Sequence, residues 1–175
     1  MPRVVASIES RMGSSRFPGK ALADIGGKPA LGRLINRLKS SRLLDGIVLA
    51  TTDAPADAAL EALAHEEGID CYRGSQEDVL LRVVEAHRKM KSDIIVEVTG
   101  DCILLDPQLI DMGVRTFLEN VCDVVSNVKH LSFPMGEDIQ VFRRDTLERV
   151  EAVARDQVSR EHVSIYMYEH PELFR

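Results

Sequence analysis

Four short apolar runs, at residues 2–8 (PRVVASI), 46–51 (GIVLAT), 69–72 and 93–98 (DIIVEV), alternate along this chain with segments whose apolar residues recur at helical spacing. A strand, a crossover helix and a second, parallel strand form the unit that this alternation encodes. The pattern therefore predicts an α/β architecture around a mostly parallel central sheet. Pro29 opens the first predicted helix, with Leu31, Leu34, Ile35 and Leu38 toward the sheet. Thr52 or Asp53 is the expected cap of a second helix, with Pro55 in its first turn and Leu60, Leu63 and Ala64 inward. Ser75 and Asp78 have the spacing of a capping box before Val79, Leu80 and Val83. Asp106-Pro107 starts a helix with Leu109, Ile110, Val114 and Phe117 buried. Strands over 123–127 and 139–143, a helix opened by Asp145-x-x-Glu148 and a last helix over 159–169 complete the expectation.

Length and charge narrow the class. At 175 residues, 45% apolar and 29% charged, the chain is sized for one domain with a substantial core. Its 22 basic and 28 acidic residues leave a net charge of −6, which argues against a protein that coats nucleic acid or an anionic membrane. No apolar stretch reaches the roughly 18 to 20 residues that span a bilayer, and no secretory leader is visible. A cytoplasmic protein with neither nucleic-acid nor membrane partners is the expectation. Cys71, Cys102 and Cys122 are irregularly spaced and read as small buried residues rather than a zinc site.

Against that acidic background, "SRMGSSRFPGKAL" at residues 10–22 concentrates Arg11, Arg16 and Lys20 among glycines and hydroxyls directly after the first strand. Glycine exposes backbone N–H groups and the cations neutralise oxygens, so the composition suits a phosphate chain. A solvated surface turn is the bland alternative. Gly13 and Gly19 enclose five residues, and Lys20 is followed by Ala21, so this is not a Walker loop; no Gly-x-Gly-x-x-Gly dinucleotide fingerprint follows the strand either. In open parallel sheets, ligands bind beyond the carboxyl ends of the strands. "TGDC" at residues 99–102 leaves the fourth strand at the same edge, and Asp101 there is placed for a hard cation or for a turn.

Arg11, Ser14, Arg16, Pro18 and Lys20 match the signature Arg-x-x-Ser-x-Arg-x-Pro-x-Lys, and in this the chain resembles the sugar-acid cytidylyltransferases, most closely their spore-coat polysaccharide branch. "GKPAL", "ATTD", "YRGSQEDVLLR", "TGDC", "VVSN" and "REHV" extend the resemblance nearly end to end. It implies a three-layer, Rossmann-like nucleotide-diphospho-sugar transferase fold. It also implies Mg²⁺-dependent transfer of CMP from CTP to an acidic or deoxy sugar for surface polysaccharide synthesis, with pyrophosphate released and a homodimer as the assembly. By the same resemblance Arg11, Lys20 and Asp101 are catalytic, and Gly13, Ser14, Arg16, Arg73, Ser75 and Thr99 join Arg11 and Lys20 around the nucleotide. Asp101 is the metal ligand, and Asn127, Arg160 and Glu161 stand on the sugar side. Asp78 and Asp53 stay open between a site role and capping, and His162 reads as structural.

Four departures accompany the match. Glu9-Ser10 replace a usual Gln-Ala, placing a carboxylate beside the nucleotide; Ile103 replaces proline; and Gln140 replaces a usual Glu. Family members also continue into an Asp-Thr-Glu-Glu-Asp-like segment that supplies a second metal carboxylate, whereas this chain ends at Phe174-Arg175. One nucleotidyltransferase domain over 1–175 without that segment is expected, with Asp138 as its substitute ligand. A nucleotide-binding domain without turnover, and a transferase that uses another nucleoside triphosphate, are the competing readings.

Overall fold

The computed structural model describes residues 1–14, 17–130 and 133–175. Six strands, β1 (Val4–Glu9), β2 (Gly46–Thr52), β3 (Asp70–Gly74), β4 (Ile94–Thr99), β5 (Val124–Ser126) and β6 (Gln140–Arg143), form one sheet in the order β3-β2-β1-β4-β6-β5. β1 pairs in parallel with both β2 and β4, and β3 is parallel to β2. β6 runs antiparallel to both β4 and β5, so the sheet is mostly parallel, as expected.

Side-chain alternation divides the core into two. Val4, Ala6 and Ile8 of β1 face the side covered by α1 (Ala30–Leu38), α2 (Ala58–Glu66) and α4 (Pro107–Glu119). Val5 faces the opposite side, covered by α3 (Val79–Met90), α5 (Arg144–Val153) and α7 (Ile165–Glu169). The inward residues expected of the first helices, Leu31, Leu34, Ile35, Leu38, Leu60, Leu63 and Ala64, are all buried. Two helical layers around a sheet follow from strands that are apolar on both faces.

Three local expectations are corrected. Ser75 does not cap α3: Asp78 does, its Oδ1 accepting from the Leu81 N–H at 2.9 Å, while the Ser75 hydroxyl accepts from the Asp78 N–H one turn earlier. Neither Thr52 nor Asp53 caps α2, because a 3₁₀ turn (Pro55–Asp57) intervenes, and Thr52 instead donates to the Asp57 carboxylate. The last helix is two: α6 (Gln157–Glu161), capped by Asp156, and α7, separated at His162, whose φ of −113° and ψ of 89° are not helical.

β1 and β4 remain in contact past their last paired residues, where the Gly100 N–H donates to the Glu9 carbonyl at 2.9 Å. A Cβ at Gly100 would stand 2.8 Å from Ser10 Cβ and 2.9 Å from the Glu9 carbonyl oxygen, which excludes any side chain there. Gly100→Ala is expected to lower stability by about 1–3 kcal/mol, several degrees in melting temperature. Thermal unfolding of the variant checks this.

Candidate active site

Sheet order reverses between β1 and β4, and the segments leaving their carboxyl ends meet there. After β1 the chain folds back on Met12: its carbonyl accepts from the N–H groups of Ser14 and Gly19, and its own N–H donates to the buried Asp57 at 2.7 Å. Gly19 has a φ of +74°, a left-handed conformation that suits glycine. Lys20 then begins a 3₁₀ turn (Lys20–Leu22), with Ala21 buried and the lysine directed across the sheet edge. Its Nζ lies 2.7 Å from Oδ2 of Asp101, two residues beyond β4.

This contact closes one side of a cleft of about 310 Å³. Arg11, Ser14 and Lys20 contribute from the loop, and Thr99, Gly100 and Asp101 from the end of β4. Arg16 lies outside the described residues. Burial works to raise the Asp101 carboxyl, but hydrogen bonds from Lys20 and Thr99 and the lysine's charge outweigh it and hold the carboxyl below its ordinary range. Lys20 and Asp101 keep 34% and 54% of their side-chain exposure, and pairs so wet are worth only about 0–1 kcal/mol. An incoming polyphosphate can therefore separate them at little cost.

Asp101 also presents a hard oxygen donor at the edge where phosphates would lie. Among the described residues no group of three or more His, Cys, Asp or Glu converges on one point. Magnesium commonly takes only one or two carboxylates beside phosphate oxygens and water, so Asp101 fits the role of one such ligand. Asp138 stands close by: its backbone hydrogen-bonds to Cys102, and its charge adds to the burial that pushes the Cys102 thiol up.

Several residues assigned from the resemblance are engaged elsewhere. Arg73 does not line the cleft; its guanidinium donates to the carbonyls of Thr52 and Ala54 and pairs with Glu61 at 2.9 Å, tying β3 to α2. Ser75 accepts from the Asp78 N–H just before α3. Asn127 donates to the Glu137 carbonyl and accepts from the Ile139 N–H, pinning the chain before β6. Arg160 pairs with Asp78 and lies 3.5 Å from Glu151, so it docks α6 onto the start of α3. Gly13 lies in the loop but not in the cleft wall. Glu161, the last residue of α6, does reach the wall, and so does His162 just after it.

Two buried charges escaped the motif-based reading. Arg82 of α3 is 2% exposed, donates to the carbonyls of Ala50 and Ser75, and lines the cleft. Burial is the main influence that lowers its pKa. Glu97 of β4 is 5% exposed, and a glutamate inside the otherwise apolar run DIIVEV was the signal available. Burial pushes its carboxyl up to about 7 against the hydrogen bond from Ser164. Glu9 is likewise raised by burial and then by the charge of Glu97, opposed by Ser7 and Arg82.

A carboxyl whose folded pKa exceeds its unfolded value holds extra protons in the native state, so its contribution is present at low pH and lost as pH rises through the folded value. Glu97→Gln is therefore expected to gain stability relative to wild type between roughly pH 5 and 7.5. Paired melting curves across that range test this; a constant difference would show that Glu97 does not titrate there.

Comparison with known proteins gives the family and the fold. The family model described as Cytidylyltransferase matches residues 5–175. The spore coat polysaccharide biosynthesis protein SpsF of Bacillus subtilis is 32% identical over 179 residues, a match spanning 100% of this chain and 74% of that protein. A 3-deoxy-manno-octulosonate cytidylyltransferase of Anaeromyxobacter is 31% identical over 183 residues, spanning 96% of this chain and 73% of the relative. The solved structure of a cytidylyltransferase from Leptospira borgpetersenii superposes with a TM-score of 0.95 at 35% identity, covering 99% of this chain and 74% of that one. The sheet and its two helical layers thus form the nucleotide-diphospho-sugar transferase fold. By sequence and by architecture, this chain belongs to the cytidylyltransferase family.

Proposed function

We propose that this protein transfers the cytidylyl group of CTP to a sugar hydroxyl and releases pyrophosphate. The observation that carries this reading is the meeting of Lys20 with Asp101 at the switch point of the sheet. One locus thereby offers a cation for phosphate oxygens and a carboxylate for a hard metal ion. The relatives' names, which include a cytidylyltransferase and a polysaccharide biosynthesis protein, support the nucleotide and the pathway class. In this reading the acceptor is an acidic or deoxy sugar and the working form a cytoplasmic homodimer, as expected from the resemblance.

In the reaction, the acceptor oxygen forms a bond to the α-phosphorus and the bond from that phosphorus to the bridging oxygen breaks. Pyrophosphate leaves with the electron pair, and the hydroxyl proton passes to water at the open mouth of the cleft. Charge gathers on the α-phosphate and the leaving group, so fixed cations aimed at those oxygens lower the barrier more than covalent participation would. Lys20 and Arg11 line the cleft; in this reading they neutralise the triphosphate, with Ser14 and loop N–H groups completing the clamp. Asp101, with Asp138 as a second carboxylate, would hold Mg²⁺. When bound, the ion supplies charge neutralisation on the phosphate oxygens. Arg82 keeps the wall of the cleft positive, and Asp57 positions the loop through Met12.

Sugar-dependent pyrophosphate release, measured with each nucleoside triphosphate against a panel of acceptors, tests the proposal. CTP binding without pyrophosphate from any acceptor would mark a non-turnover nucleotide-binding domain, and release with another nucleotide would reassign the base. Lys20→Ala is expected to fold normally and to lose about 100-fold or more in kcat; a rise in KM alone would limit Lys20 to binding. Asp138→Ala is expected to weaken the Mg²⁺ dependence of turnover, and an unchanged dependence removes Asp138 from the metal site.

A further inference from the structure

Outside the nucleotide cleft, α1 and the segment that joins β4 to α4 bound a groove of about 550 Å³. Ile25, Ile103, Leu104 and Pro107 make its lining apolar, and Arg33 and Arg37, one turn apart on α1, make it basic. Leu104 keeps 65% of its exposure and Ile25 39%. Among the described residues no carboxylate lines the groove, although the chain carries 28 acidic residues against 22 basic ones. The nearest acids in sequence are turned to the backbone: Asp24 Oδ1 accepts from the Gly27 N–H at 2.6 Å, and Asp106 Oδ1 from the Gln108 N–H at 2.8 Å.

Both arginines keep their charge uncompensated. Arg33 donates through Nε and Nη2 to the carbonyls of Ile25 and Gly26, which fixes the guanidinium at the groove without neutralising it. Among the described residues neither Arg33 nor Arg37 is in an ion pair within 4.0 Å. Cations of this kind attract anions, and exposed apolar side chains between them favour an anion that carries a hydrophobic group. The polar wall continues along α1 through Asn36 to Ser40, a run of about 10 Å, which matches about three residues of extended peptide. A planar bilayer does not fill a concave slot. A second copy that presents the same face across a twofold axis sets arginine against arginine, which like-charge repulsion opposes.

We propose that this groove docks an acidic segment of a partner protein, an extended stretch in which aspartates or glutamates flank a bulky apolar side chain. The carboxylates pair with Arg37 and with the remaining N–H groups of Arg33, and the apolar side chain packs on Ile103 and Leu104. Ile103 follows Asp101 by two residues and Ile25 follows Lys20 by five, so the docked partner stands against the segments that carry both cleft residues while the cleft itself stays open. This docking does not depend on the cytidylyl-transfer reading.

Fluorescence anisotropy with a labelled peptide of alternating glutamate and leucine tests the proposal, with two control peptides: glutamine for every glutamate, and serine for every leucine. The first peptide is expected to bind at least about 10-fold tighter than either control, and to lose about 10-fold in affinity when salt rises from about 0.05 to 0.5 M. Arg37→Glu and Leu104→Ser are each expected to weaken binding by about 10-fold or more while melting temperature and CTP affinity stay at the wild-type values; either variant suffices should the other fail to fold. No binding at about 1 mM peptide, equal binding of a control, or an affinity that survives both substitutions would overturn the proposal. An oligomer of the protein alone that Arg37→Glu dissociates in sedimentation would give the groove to a second copy, and retention on phosphatidylglycerol vesicles that the same substitution abolishes, without peptide binding, would give it to a membrane. Either result also overturns the proposal.

Discussion

Parallel pairing of β1 with β4 is the constraint on which the site depends. Six residues of each strand are in register, and the pairing carries on until the Gly100 N–H reaches the Glu9 carbonyl. The two chain segments that leave this seam have nowhere to go but alongside each other, and Lys20 and Asp101 meet as a result. A side chain at residue 100 would wedge the seam open. Geometry at the reacting edge is therefore inherited from backbone hydrogen bonds in the centre of the sheet, where burial on both faces makes displacement expensive.

Electrostatics divides this edge into two environments. In the cleft, Lys20 and Asp101 remain wet, so their attraction is weak and exchangeable for contacts with a phosphate chain. On the same face of the sheet, one step deeper, Glu9 and Glu97 lie away from water and away from a paired cation, which drives both carboxyls toward the protonated form. A weak exposed pair suits a group that must release its partner when substrate arrives.

Around these charges stands a positioning network made of residues with little visible motif. Asp57 joins the loop to the end of β2 through Met12 and Thr52. Asp78 caps α3 and pairs with Arg160 in the same carboxylate, which fixes α6 and with it Glu161 and His162 at the cleft. Arg73 ties β3 to α2. Each of these side chains saturates backbone groups at element ends, the places where a chain would otherwise leave polar atoms unpaired.

Much of the fold was legible from local chemistry: strand and helix periods, Asp106-Pro107 at the start of a helix, and cations gathered among glycines after β1 all act within a few residues of themselves. The loop and Asp101 were legible as a site for the same reason, since a parallel sheet sends every strand end to one edge. What only the tertiary structure decided was where polar side chains spend their hydrogen bonds. Arg73, Ser75, Asn127 and Arg160 belong to matching segments, yet their partners are backbone carbonyls and carboxylates brought near by folding. The neighbourhood of Glu9 and Glu97 was equally hidden, because it is created by register between strands far apart in the chain. Periodicity and turn chemistry are local properties and can be read along a sequence, whereas desolvation and pairing of charge depend on which remote segments pack together.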